Sequence, residues 1–370
     1  MYFWIMFNFI LYIFTFVSKK YVYFIWIFLA LFSAFRYNIG PDYLQYVFTY
    51  DKILEGNDFF LLGSDVFHTQ LIYFTNYIGG NIQLVVFIYA ILTIYFYYYA
   101  FKFFSKNNLF FIIITLFFIS MMYFLTLNTI RQTLAAAIFF YSTKFIIQQK
   151  IYKYFFFIII ATLVHKSAIL LFPFYWIGQK KFSTYSIMII IILMISLIFI
   201  NPINLIEVIF IKFNLPFAIY FDYGRFSEPP TLYGKITAFI SITMLLLLLL
   251  MNRKNKIENL IFNFLLVLAF IRVISLNMDV IGRLSFYFKP FQLLLYVHIF
   301  YLFILKIKSK KNIFALITTI FLFSFSLLQL YIIIGKSNAY NQYAININLF
   351  SNPEPIQIFG DYKKVQKWEK

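Results

Sequence analysis

The chain has 370 residues, of which 63% are hydrophobic, 24% aromatic and only 12% charged, and its mean hydropathy is +0.84. A soluble domain is near half apolar and a quarter charged, so this composition excludes that class and points to an integral membrane protein. The formal net charge of +18 would suggest a nucleic-acid partner in a soluble protein, but most of the lysines lie in short connections between apolar runs, where they set membrane orientation, and no nucleic acid is expected.

A helical span takes about 20 mainly apolar residues, which leaves room for roughly a dozen. The expected fold is therefore all-α: one polytopic transmembrane helix bundle over residues 1–370, with about 12 membrane segments, some of them short. Outward loops with short surface helices complete it. The apolar run at 2–17 lacks a basic start and a small-residue cleavage site, so it reads as a retained span. A second run follows at 21–35, after Lys19 and Lys20. The connection 36–80 is long and polar, holding Asp42, Asp51, Glu55, Asp58, Asp65 and His68, with short helices expected near 43–54 and 69–78.

Further runs follow at 81–101, 109–125 and 131–147, then two short ones at 154–164 and 168–177 around His165-Lys166-Ser167. The short pair predicts tilted helices or a pair dipping in from one side. A run at 185–200 precedes a second outward segment, 201–231, rich in proline and aromatics. Runs at 232–251, 257–274, 284–305 and 313–334 finish the set, and 335–370 forms a tail. Alternation from an outside N-terminus places Lys19/Lys20, Lys102/Lys106, Lys150/Lys153, Lys180/Lys181, Arg253/Lys254/Lys256 and Lys306/Lys308/Lys310/Lys311 on one side, which is then cytoplasmic. The same alternation places the tail lysines 363, 364, 367 and 370 outside, against the rule.

The other side receives Arg36, Asp42, Arg131, His165, Asp222, Arg225, Asp279 and Arg283. Apart from Arg253, arginines segregate outward while lysines dominate inside. Arginine's planar fork suits bidentate phosphate recognition, whereas lysine serves as a general charge. An ionisable residue in a bilayer costs about 2.5–3.5 kcal/mol on insertion scales, so Arg131 and His165, at the ends of apolar runs, are functional candidates. Snorkelling to the headgroups is the plainer account of each. In Arg36-Tyr37-Asn38-Ile39-Gly40-Pro41-Asp42-Tyr43, a turn either holds a guanidinium and a carboxylate together or has Asp42 merely capping the next helix. Arg283 and Tyr287, four apart, are expected on one helix face. Arg225, with Asp222, reads either as a solvated ion pair or as a further substrate cation.

With no cysteine, neither a disulfide nor a thiolate mechanism is open, and three histidines without metalloprotease-type spacing argue against zinc. No Asp-x-Asp pair occurs, so neither metal nor cofactor is expected. Several arginines, a carboxylate and a histidine on the outer face suit a lipid-linked pyrophosphate, whose leaving group is stabilised by cationic donors. Glycosyl transfer from such a donor also needs a base for the acceptor hydroxyl.

Three stretches resemble the EpsG-like, Wzy-type polysaccharide polymerases. Arg36 to Tyr46 matches their R-x-x-x-G-x-D-Y-x-x-Y pattern, Arg131-Gln132-x-Leu134-Ala135 their R-Q-x-L-A helix start, and His165-Lys166-Ser167-Ala168 their H-x-S-A turn. Pro41 stands where the family commonly has threonine, and the tail after Gly335 matches weakly. The resemblance implies an O-antigen or exopolysaccharide polymerase of the bacterial inner membrane, with its site on the periplasmic or extracellular face. It would move a growing glycan from undecaprenyl pyrophosphate to an incoming lipid-linked repeat unit. Its partners would be that lipid-linked oligosaccharide, membrane lipid and a chain-length regulator. By this likeness Arg36, Arg131 and Arg283 bind pyrophosphate, with Gln132 beside them. His165 or Asp42 activates the acceptor, and Tyr43, Tyr46, Tyr223 and Tyr287 stack on sugars. Alternatives are a ligase or GT-C-type transferase with the same donor, a transporter or flippase for the lipid-linked glycan, and an acyltransferase using an outward histidine.

Overall fold

The computed structural model describes residues 22–105, 113, 117, 122–199, 212, 232–249, 255–277, 279–306, 344–345 and 349–350. These residues are almost entirely helical. Helix α1 (Val22–Ala34) carries no charge and ends just before Arg36. The 36–80 connection folds into three short helices, α2 (Tyr43–Leu54), α3 (Asp58–Gly63) and α4 (Val66–Tyr77). The first fills the stretch expected to be helical and the last starts three residues early. Helix α3 is additional to these two; the Asn57 side chain starts it by accepting the N–H groups of Phe59 and Phe60.

The long helices follow: α5 (Ile82–Phe104), α6 (Met122–Asn128), α7 (Ile130–Ile147) and α8 (Ile151–Val164). A 3₁₀ turn (Lys166–Leu171) and α9 (Phe174–Gln179) lead to α10 (Thr184–Phe199). Helices α11 (Leu232–Leu249), α12 (Lys256–Ile274), α13 (Asp279–Gly282) and α14 (Ser285–Lys306) complete the described bundle. The short pair expected around His165 is thus α8 followed by a broken segment. The expected runs 2–17 and 313–334 lie outside the described residues, as do the run 109–125 apart from residues 113, 117 and 122–125 and the loop 201–231 apart from residue 212.

Helix α7 is the centre of the bundle and packs against α5, α8 and α14. Ala135, Ala136 and Ala137 are fully buried, and their small side chains let the neighbouring backbones come close. Phenylalanines fill the space beyond them: Phe140 meets Phe101 at 4.9 Å and Phe291 at 5.2 Å, both edge to face.

Two described helices, α5 and α12, are long and apolar enough to cross a membrane, while α1, α8, α10 and residues 234–246 of α11 are apolar but shorter. With the composition, these helices are those of a membrane protein. Among the described residues the all-α class holds, and some expected runs are not long apolar helices for local reasons: α7 carries Arg131, Gln132 and Lys144, α8 has 14 residues, and the run at 168–177 breaks at Pro173.

The helices alternate between two ends. One end bears Lys102, Lys144, Lys150, Lys180 and Lys256; there Asn259 and Asn263 of α12 donate to the Lys180 carbonyl at 3.0 and 2.7 Å. The other end bears the 36–80 connection and the starts of α7 and α14. It also holds the one departure from an all-helical fold among the described residues. Strand β1 (Arg36–Tyr37) pairs antiparallel with β2 (Ala344–Ile345), Arg36 opposite Ile345. Nearby the Asn81 N–H donates to the Leu349 carbonyl at 3.0 Å. Part of the tail therefore seats on the end that carries the arginine motifs.

Candidate functional site

The first motif folds as a tight turn between α1 and α2. Arg36 is 1% exposed and its Nη1 donates to the Ser33 carbonyl at 2.7 Å. Gln83 of α5 clamps the turn, its Nε2 donating to the carbonyls of Ala34 and Arg36 at 2.8 and 3.0 Å, and its Oε1 accepting from the Tyr43 hydroxyl. Gly40 has φ +97°, and a Cβ there would lie 2.7 Å from the Leu127 carbonyl, so both the conformation and the space require glycine. The turn is pinned to α6 by the Asp42 N–H, which donates to Asn128 Oδ1 at 2.8 Å.

Asp42 occupies the N-cap position of α2 but makes no side-chain cap bond. Its carboxyl instead lies in the field of Arg283 and Arg131. Burial pushes it above the usual carboxylate range, and the two guanidinium groups offset only part of that rise. Capping is therefore not what the side chain does.

The centre of the site is a residue that the sequence reading placed only among the charges of the 36–80 connection. Asp65, at the start of α4, is 3% exposed. Its Oδ2 accepts from Arg131 Nη1 at 3.0 Å and contacts His165 Nδ1 at 3.1 Å, and its Oδ1 accepts from the Lys166 N–H at 2.9 Å. Burial alone would raise this carboxyl, but the His165 hydrogen bond, the Arg131 charge and the Lys166 N–H together hold it below the ordinary value. Arg131 stands in the first turn of α7, where a cation opposes the helix dipole, so helix stability does not account for its placement. Its guanidinium also lies 5.9 Å from the centre of the Tyr46 ring.

His165 ends α8 in an extended conformation that turns the imidazole away from the helix and toward Asp65. Behind it, Ser167 Oγ and the Tyr287 hydroxyl are 2.8 Å apart. Gln132 donates through Nε2 to the Arg283 carbonyl at 2.8 Å, tying α7 to the turn before α14. Arg283 sits in that turn, ahead of Ser285, and is exposed, whereas Tyr287 is fully buried. The expected shared face is thus not formed, because α14 begins only after Arg283.

Of the residues singled out from the sequence, Arg131 and His165 meet at Asp65, and Asp42 lies within electrostatic reach of both Arg283 and Arg131. Arg36, Tyr43, Tyr46 and Tyr287 are buried, with 1, 2, 8 and 0% exposure. Tyr223 and Arg225 lie outside the described residues. Asp65 carried no sequence signal beyond being an acidic residue ahead of a helix, and its partners stand 66, 100 and 101 positions away.

A family model for EpsG matches residues 19–345. The chain belongs to the EpsG family. It is a polysaccharide polymerase-like family, and the match covers both sides of the turn, the α7 start and the His165 turn of this EpsG chain. No curated protein and no solved structure matches it.

Within this chain the arrangement has two chemical capacities. An imidazole whose one nitrogen faces a carboxylate leaves the other nitrogen to take a proton. The adjacent guanidinium groups favour an anion with more than one oxygen.

Proposed function

We propose that this chain is a metal-independent glycosyltransferase that polymerises a polysaccharide from lipid-linked repeat units at the outer face of a bacterial inner membrane. The observation that carries this reading is the contact of His165 and Arg131, from two different helices, with one oxygen of Asp65. It puts a proton acceptor and an anion donor side by side, with Arg283 and Asp42 on the same end.

The acceptor hydroxyl of the incoming repeat unit attacks the anomeric carbon of the growing glycan. Its proton passes to His165 Nε2 while the bond from the anomeric carbon to the phosphate oxygen breaks. Undecaprenyl pyrophosphate leaves with the electron pair, and Arg131 and Arg283 stabilise the charge that develops on it. Asp42 stands beside Arg283 and orients the acceptor. Arg36 supports this layer from below, and the buried tyrosines shape its floor.

The test is genetic. His165→Ala and Arg131→Ala, each replacing the natural gene, are expected to reduce the electrophoretic glycan ladder to single repeat units, His165→Ala at unchanged protein level. Removal of a general base costs about 10²–10⁴-fold in rate. A full ladder from His165→Ala overturns the assignment. Polymer that is made but left unattached identifies a ligase, and purified protein that moves lipid-linked units without lengthening them identifies a transporter.

A further inference from the structure

Asp65 makes no side-chain hydrogen bond to the helix it precedes, although its backbone has the extended conformation of an N-cap residue. Ordinary capping there stabilises a helix by about 1 kcal/mol. The carboxylate is aimed instead at three donors from other parts of the chain, and it uses both oxygens to meet them. Side-chain exposure divides the group into two layers: 4% for Asp65, 28% for Arg131 and 26% for His165. Asp65 therefore lies beneath two partners that are open to substrate.

We propose that Asp65 is the positioning residue of the reaction, holding His165 in the Nδ1–H tautomer with Nε2 open toward the acceptor while it fixes the Arg131 guanidinium beside the departing pyrophosphate. The proposal rests on the polymerase reading for its consequence in turnover, but the tautomer is a property of the protein alone. The hold on the ring is directional. Lys166 N–H holds Oδ1 in place, and Oδ2 is the oxygen that both the imidazole and the guanidinium reach. An ionised carboxylate only accepts, so the imidazole nitrogen facing it must carry the hydrogen. This makes the second ring nitrogen the basic one. Lys166 follows His165 directly, so its backbone hydrogen bond also fixes the peptide that carries the ring.

An amide cannot replace this carboxylate. In Asp65→Asn the single carbonyl oxygen serves either the Lys166 N–H or the other two donors. When it serves Lys166, the amide NH₂ faces His165 Nδ1, which must then accept, and the hydrogen moves to Nε2. The base is lost although the site keeps its shape. Removing a carboxylate that orients a catalytic imidazole lowers kcat by about 10⁴-fold in the best-studied hydrolases.

The experiment labels histidine with ¹⁵N in the full chain and assigns the His165 ring by comparison with His165→Ala. Turnover is measured on lipid-linked repeat units extracted from a host strain lacking this gene. The wild type is expected to show Nδ1–H. Asp65→Asn is expected to show Nε2–H, with kcat lower by at least about 100-fold and the acceptor KM within about threefold. Asp65→Glu, which keeps the carboxylate one methylene further out, is expected to keep Nδ1–H and to recover part of kcat. A folded Asp65→Asn protein that keeps Nδ1–H and turns over within threefold of wild type overturns the proposal. Should Asp65→Asn not accumulate, Asp65→Glu decides: retained Nδ1–H with partial turnover supports the role, and loss of Nδ1–H with full turnover refutes it. Wild-type turnover by His165→Ala would sink the polymerase reading of His165 while leaving the tautomer result to judge Asp65 separately.

Discussion

Arg131 and Asp42 illustrate how a charge at a helix start can serve something other than the helix. For Arg131→Lys, the charge remains but the planar fork that reaches Asp65 Oδ2 beside a ring is lost, so polymer length is expected to shorten while the melting temperature stays near wild type. Arg131→Ala leaves a buried carboxylate short of one donor and is expected to lower stability by about 1–3 kcal/mol, read from a denaturation midpoint. Asp42→Asn separates capping from chemistry. With no cap bond to lose, its stability is expected to change by less than about 0.5 kcal/mol, whereas its glycan ladder shortens. A drop near 1 kcal/mol with an intact ladder would restore the capping explanation.

At the level of the elements, the first motif works as a turn whose shape is imposed by its neighbours. Gly40→Ala meets both a left-handed φ and a carbonyl oxygen of α6 at 2.7 Å, so it is expected to destabilise the protein by about 1–3 kcal/mol and to shorten the polymer. Asn128→Ala, which removes the partner of the Asp42 N–H, is expected to act in the same direction but less strongly, and comparing the two melts checks the order. The helices themselves were legible because apolar runs and lysine punctuation report them directly: the run read as 81–101 is α5, 131–147 is α7 and 257–274 is α12 within a few residues. The Gly40 turn and the Arg131 and His165 helix ends were legible through residue type. What was not legible is burial. Nothing in the order of residues distinguishes Arg36, which turns inward to the Ser33 carbonyl, from Arg283, which stays exposed. Nor does it raise Asp65 above Asp51 or Asp58, since its rank comes from donors far along the chain.

Across the molecule, three titratable groups at and behind the site set its response to acid. His68 is fully buried among Tyr46, Tyr89, Arg131 and Asp65, with Nδ1 3.3 Å from the Tyr89 hydroxyl. Burial, reinforced by the Arg131 charge and opposed by Asp65, pushes it down from 6.5 to about 3. The unfolded chain therefore takes up a proton that the folded chain refuses as pH falls from about 6.5 toward 3, and stability declines by up to roughly 1.4 kcal/mol per pH unit over that window. Asp65 has the same sign in a lower window: its contribution is complete above 3.8 and is lost as pH falls through its depressed folded value. Asp42 runs the other way, because its raised folded value makes its contribution shrink as pH rises above 3.8. The melting temperature is thus expected to fall between pH 7 and pH 5, and His68→Gln is expected to flatten that fall. An equal decline in the variant would remove His68 from the account.

The pairing of β1 with β2 joins the first motif to residues that the ribosome delivers after every described helix. The Arg36–Tyr37 segment consequently gains this pairing only once residues 344–345 have been made, however soon its own helices form. The end that carries the arginine motifs is therefore closed by contacts from both extremes of the described chain.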